Sequence, residues 1–105
     1  MTFQKAAALA DLPVGGVLAV EIDGTEIALV RDADGVYALQ DVCSHAEVPL
    51  SEGDVTVGAG SCEIECWLHG SQFDARTGKA LNLPAIEPVP TYPTRVEGDT
   101  VLVDV

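Results

Sequence analysis

The sequence predicts an all-β protein, a small antiparallel β-sandwich or barrel. Three observations predict it: short apolar segments that alternate with polar residues, turn dipeptides at close spacing between them, and almost no helical periodicity. Along the chain, Gln4 to Leu12 is the one stretch that suggests a helical turn, and Pro13 ends it. Val17 to Ile22 and Thr25 to Arg31 flank Asp23-Gly24, a two-residue hairpin signal. A turn at Asp32-Ala33-Asp34-Gly35 leads into Val36 to Gln40. Ser61 to Cys66 alternates, with Cys62, Ile64 and Cys66 on one face and Glu63 and Glu65 on the other. Thr77-Gly78 marks a further turn, and Arg95 to Glu97 and Val101 to Val105 close the chain around Gly98-Asp99. Leu83 to Pro93 holds Pro84, Pro88, Pro90 and Pro93, too many for a central strand, and predicts a stiff extended loop lying over something.

The chain has 105 residues, room for one domain with one modest core. Its 48% hydrophobic content is enough to offset the entropy of ordering. Five Lys plus Arg stand against seventeen Asp plus Glu, a net charge of −12. Such a surface repels phosphate backbones and anionic lipids, which argues against nucleic acid and membranes as partners. It suits transient docking on basic patches, though a generic acidic surface reads the same way. No apolar run approaches the length that spans a bilayer. Ala6 to Ala10 after Lys5 resembles the start of a signal peptide, but Asp11 and Pro13 interrupt it. Three widely spaced cysteines argue against a disulfide framework and for a reducing compartment, so the cytoplasm is the expected location.

Two clusters carry the chemistry: Cys43-Ser44-His45 and Cys66-Trp67-Leu68-His69. Together they use both histidines of the chain and two of its three cysteines. Each follows a predicted strand, with Gly53, Gly70 and Gly78 nearby to permit tight turns. Three readings fit those residue types. Structural zinc uses the same ligands, but its knuckles usually pair Cys with Cys and His with His. A Cys–His catalytic dyad would leave the second pair unexplained. Mixed Cys/His knuckles favour a [2Fe–2S] cluster in which two histidines replace two thiolates on one iron.

At these residues the chain resembles the Rieske ferredoxins, small electron carriers that serve bacterial ring-hydroxylating dioxygenases. Cys43-Ser44-His45-Ala46-Glu47-Val48-Pro49-Leu50-Ser51-Glu52-Gly53 looks like the first cluster loop of that family. Glu65-Cys66-Trp67-Leu68-His69-Gly70-Ser71-Gln72-Phe73-Asp74 looks like the second, and Leu83-Pro84-Ala85 like the proline loop that covers the cluster. The similarity runs from Thr2 to Val105. One departure is the 20-residue gap between His45 and Cys66, with Gly58-Ala59-Gly60-Ser61 the apparent insertion. The resemblance implies a single Rieske-fold domain over 1–105, a β-sandwich with a cluster-binding subdomain in loops at about 41–80 and a proline-rich loop at about 83–93.

It also implies one [2Fe–2S] cluster per chain, with Cys43 and Cys66 on one iron and His45 and His69 on the other. Two ferric ions, two sulfides, two thiolates and two neutral imidazoles sum to zero charge. An added electron belongs on the imidazole-bound iron, which has less negative charge around it. Ser71 is placed to donate a hydrogen bond to a bridging sulfide. Trp67 and Leu68 are expected to shield the cluster from water, and Cys62 reads as a small buried hydrophobe.

The resemblance implies a carrier and not an enzyme. A ring-hydroxylating oxygenase needs a further iron on two histidines and a carboxylate, and both histidines are already used. Respiratory Rieske subunits carry a membrane anchor and a disulfide between the loops, where Val48 and Leu68 stand here. Cluster-free relatives such as small nitrite reductase subunits lack the four ligands. The implied partners are a flavin-dependent ferredoxin reductase and a terminal oxygenase, met transiently by a monomer. Service to iron–sulfur assembly is the alternative. A low potential is expected. Phe73 stands where high-potential proteins have a tyrosine that donates to a cysteine sulfur. The loop-linking disulfide is missing, and Asp41, Glu47 and Glu65 add negative charge within two residues of a ligand, screened by solvent.

Overall fold

The computed structural model describes residues 3–42, 48–58, 61–67, 70–81 and 87–104. The expected ligands Cys43, His45 and His69, with Leu68, Pro84 and Glu47, lie outside the described residues.

Among the described residues, ten strands form three antiparallel sheets. The first joins β1 (Phe3–Ala8), β10 (Thr100–Asp104) and β9 (Thr94–Glu97) in the order β1-β10-β9. The second runs β2 (Val17–Ile22), β3 (Thr25–Arg31), β4 (Val36–Gln40) and β8 (Thr91–Tyr92). The third is β5 (Asp54–Gly58), β6 (Ser61–Glu65) and β7 (Gln72–Asp74). The all-β, antiparallel expectation holds.

The second sheet is the middle layer, and β3 shows why. Ile27, Ala28, Leu29 and Val30 are all buried, so β3 has no solvent face and reads as a continuous apolar run. Ile27 and Leu29 join Ile22, Val36, Val101 and Val103 in a core against the first sheet. Val30 and Leu39 point the other way, into a core with Leu50, Cys62, Ile64, Cys66 and Phe73. The Thr94 hydroxyl donates to the Val36 carbonyl at 2.6 Å, tying the first two sheets together at their edge.

Several segments differ from the sequence expectation. Gln4 to Leu12 is not a helical turn: residues up to Ala8 form β1, and only Leu9–Asp11 make a 3-10 turn. Pairing with β10, in register Phe3↔Asp104 to Ala8↔Thr100 around a bulge between Lys5 and Ala7, outweighs the helical preference of three alanines. Strand β5, which directly follows the residues that read as the first cluster loop, is a strand the sequence expectation does not include. It pairs with β6 as far as Gly58↔Ser61, which places the apparent insertion at a hairpin tip, with 59–60 outside the described residues. Gly53 is not in a positive-φ turn; its backbone is extended, at φ −91° and ψ −173°. The Asp23-Gly24 hairpin is as expected, with φ of 52° and 81°. The proline-rich stretch returns along the middle sheet. The Val89 N–H donates to the Gly78 carbonyl at 2.8 Å, Thr91–Tyr92 pair with β4 at the sheet edge, and Pro88, Pro90 and Pro93 face solvent.

An ion pair joins the middle and third sheets. The Asp32 carboxylate, 3% exposed, accepts from the Arg76 guanidinium at 2.6 Å, from the Asp34 and Gly35 N–H groups, and from the Tyr37 hydroxyl. Burial pushes this carboxyl up, but the Arg76 hydrogen bond and the two backbone donors outweigh it and hold it below the ordinary aspartate value. Asp32 therefore contributes stability above its unfolded pKa, and that contribution is lost as the pH falls through the lower folded value. Arg76→Met should destabilise the protein at pH 7, because it leaves the buried Asp32 carboxylate without its charged partner. It should also move acid unfolding to higher pH, because Asp32 loses a partner that favours its charged form. Urea unfolding over a pH series checks both; an unchanged acid limb means the pair is idle.

Candidate metal centre

The centre is best built from the alternation of β6. Cys62 and Ile64 point into the core and Ser61, Glu63 and Glu65 away from it. The parity continues past the end of the strand: Cys66 is 1% exposed and Trp67 is 53% exposed. Residues 66–71 connect β6 to β7, whose register pairs Glu65 with Gln72 and Ile64 with Phe73. Two backbone hydrogen bonds close that connection. The Cys66 N–H donates to the Ser71 carbonyl at 2.7 Å, and the Gly70 N–H donates to the Cys66 carbonyl at 3.0 Å. Gly70 takes a φ of 75°, which a side chain would resist, and so turns the chain back toward β7.

Cys66 is thus an inward-facing sulfur at the root of a six-residue connection, against an apolar wall containing Leu50, Ile64 and Phe73. Ser71 is completely buried, and its carbonyl is the acceptor for the Cys66 N–H. Phe73 is also completely buried and carries no hydrogen-bond donor.

Trp67, expected to shield the site from water, is half exposed and lies one residue past the end of β6. Cys62 is the small buried residue expected, 2% exposed. Burial, then the nearby Asp32 carboxylate, pushes its thiol up to about 11, so at neutral pH it is neither nucleophile nor ready ligand.

Around the first pair, the described residues show the two ends of the loop. Asp41 leaves β4 and is 5% exposed; Ser51 lies in the 3-10 turn Leu50–Glu52. The carboxylate of Asp41 accepts from the Ser51 N–H and hydroxyl, each at 2.7 Å. Expected to be screened by solvent, Asp41 is instead buried. Its place two residues before Cys43 was legible in the sequence; its partnership with Ser51 was not, since nothing in a ten-residue separation signals it. Beside this neck lies an open groove of about 460 Å³ with Glu21, Glu26 and Glu52 on its walls. Val48 packs against the core that holds Cys66.

Among the described residues no three His, Cys, Asp or Glu side chains converge as metal ligands, and Cys66 is the one expected ligand those residues include. What can be tested of the fit is favourable. The Cys66 sulfur is delivered to a buried position at a loop root, three residues before His69 in the sequence. Thiolate and imidazole are the donor types of a [2Fe–2S] cluster with mixed ligation.

Cys62→Ser should destabilise the protein by about 1–2 kcal/mol, because it buries a hydroxyl in an apolar core. The visible and electron paramagnetic resonance (EPR) spectra should not change. A lost or altered EPR signal would show that Cys62 serves the metal centre.

The family model of the Rieske [2Fe-2S] domain matches residues 2–93. The biphenyl dioxygenase ferredoxin subunit of Pseudomonas sp. (strain KKS102) is 41% identical over 104 residues, covering 99% of this chain and 93% of that protein. The solved ferredoxin of carbazole 1,9a-dioxygenase from Nocardioides aromaticivorans IC177 is 44% identical with a TM-score of 0.89, over 98% of this chain and 97% of that one. A chain in the solved complex of reduced oxygenase and oxidised ferredoxin in carbazole 1,9a-dioxygenase is 31% identical with a TM-score of 0.84, over 96% and 91%.

Proposed function

This chain belongs to the Rieske [2Fe–2S] domain family, and we propose that it is a one-electron carrier whose single cluster is held by Cys43, His45, Cys66 and His69. The observation that carries the ligand assignment is the β6–β7 connection. It buries the Cys66 sulfur and turns at Gly70, between the paired strands β6 and β7. When bound, the cluster supplies reversible one-electron redox chemistry. The protein's own residues do the rest. Leu50, Ile64 and Phe73 exclude water around the sulfur of Cys66, and Ser71, which is fully buried, would donate a hydrogen bond to the bound cluster.

The carrier passes electrons from a flavin-dependent reductase to a terminal oxygenase, acting as a monomeric single domain over 1–105 in the cytoplasm. A similar ferredoxin chain is solved in complex with an oxygenase, which supports that direction of transfer. Net charge −12 and the acid-walled groove beside the first loop suit brief docking on basic surfaces. Among the described residues no helix is long and apolar enough to cross a membrane.

Cluster content tests the assignment directly. Purified protein should carry two irons and two acid-labile sulfides per chain and give a rhombic EPR signal when reduced. His69→Cys should lose that signature even if iron stays. Stoichiometric zinc without labile sulfide would sink the reading.

The potential should lie in the lower part of the Rieske range of roughly −150 to +300 mV, below about 0 mV. Phe73 offers no donor to a ligand sulfur, and the buried Asp41 carboxylate disfavours an added electron more than a screened one would. Phe73→Tyr should raise the potential and Ser71→Ala should lower it. Protein-film voltammetry on the three proteins decides; a wild-type value well above 0 mV overturns the low-potential assignment.

A further inference from the structure

The two ligand loops are closed at their necks by different chemistry. The second is closed by a backbone hydrogen bond between Cys66 and Ser71, with the Gln72 side chain donating to Glu65 at 3.3 Å beside it. The first spans ten residues from Asp41 to Ser51 and is closed by a side chain. Both oxygens of a buried carboxylate are spent on the two donors of one serine, N–H and hydroxyl, at 2.7 Å each. The acid is itself tied down, since its own N–H donates to the carbonyl of Glu26 on β3 at 2.9 Å.

Burying a carboxylate is costly unless its oxygens are bonded. An apolar contact could close a loop without that cost. A two-point, charge-assisted grip does what an apolar contact cannot: it sets both distance and direction, which a loop carrying metal ligands requires.

The grip is also connected to the other loop. Next to Ser51, Leu50 is fully buried in the core that holds Cys66. Two residues further on, the backbone of Gly53 lies flat against Glu65, the residue before Cys66. A Cβ on Gly53 would stand 1.7 Å from the Glu65 carbonyl oxygen. From Asp41 the contacts therefore run to Ser51, along the turn to Gly53, and across to the strand end that delivers Cys66.

We propose that Asp41 is a positioning residue for the cluster: its two-point grip on Ser51 closes the first ligand loop and, through the seat of Gly53 on Glu65, holds that loop in register with the second. The proposal rests on Cys43 and His45 being ligands, as assigned above.

Asparagine and alanine at position 41 separate grip from charge. The amide oxygen of Asp41→Asn can accept from the Ser51 N–H, and its NH2 can donate to the Ser51 oxygen, so the grip survives without the charge. Asp41→Ala removes both. Cluster-loaded Asp41→Ala should release iron to a chelator about tenfold faster than wild type, the scale set by one charge-assisted hydrogen bond, while Asp41→Asn stays within about twofold. The EPR signal of reduced Asp41→Ala should broaden, and that of Asp41→Asn should keep its g-values. Val103→Ala, in the other core, is the control for general weakening and should release iron more slowly than Asp41→Ala.

Amide exchange of the 48–53 peptide, followed by mass spectrometry, reads the grip without reference to the metal and should rise only in Asp41→Ala. Wild-type iron release from Asp41→Ala, or equal losses from the asparagine and alanine variants, overturns the proposal, as does Val103→Ala releasing iron as fast as Asp41→Ala. Wild-type protein without iron and labile sulfide would instead sink the ligand assignment, and peptide exchange would still report on the grip.

Discussion

Strand β3 is buried on both faces, and the placement of everything else follows from that. Ile27 and Leu29 fill the core under the first sheet while Val30 faces the core that holds Cys66. A strand hydrogen-bonded on both edges and packed on both faces has little freedom to shift, since any slip would expose one of the two apolar sets. The third sheet is attached to this frame at a few points: the shared core, the Asp32–Arg76 pair at the end of β3, and the neck of the first ligand loop, where Asp41 bonds to Glu26. Arg31, the last residue of β3, reaches the other way and donates to the Leu12 carbonyl at 2.9 Å. Small elements that could not fold alone are thus held by one strand.

The chemistry was more legible in the sequence than the scaffolding that serves it. Cys43, His45, Cys66 and His69 stand out because the residue types are rare here and their pairing is matched, a signal that needs no geometry. Turns were legible for the same kind of reason, since Asp23-Gly24 and Thr77-Gly78 are locally determined. Segments whose state depends on a distant partner were not. The alanines of β1 read as helical until β10, at the far end of the chain, takes their backbone hydrogen bonds. Strand β5 alternates through Val55 and Val57, a signal present in the sequence but masked by the loop motif before it. Gly53 looked like a turn residue, whereas its value lies in the close approach of another backbone.

Trp67 shows how one rule outlasts the element it belongs to. Its neighbours suggested a shield, because large apolar side chains beside a metal centre usually face it. Two-residue parity, carried one step past the end of β6, sends it outward instead. The sulfur of Cys66 can be turned inward at that point only if the next side chain points out. An exposed indole next to Cys66, one of the proposed ligands, is then a consequence of that inward turn, available to any partner that comes to that end of the molecule.

Acidity in this chain does two different jobs, and burial is what separates them. Glu21, Glu26 and Glu52 are exposed, so their fields are cut off within about 8 Å at physiological salt and act mainly on an approaching partner. They favour encounter with a basic surface and change little inside the protein. Asp41 sits among the same carboxylates on the groove wall, yet it is buried and held by hydrogen bonds, so its charge acts in a less screened medium. That places one fixed negative charge two residues before Cys43, one of the four proposed ligands, where it would oppose reduction. The same hydrogen bonds that make its burial tolerable also close the ligand loop. Asparagine there would remove the charge and keep the hydrogen bonds, whereas alanine would remove both, so one carboxylate links the charge near the proposed ligands to the closing of their loop.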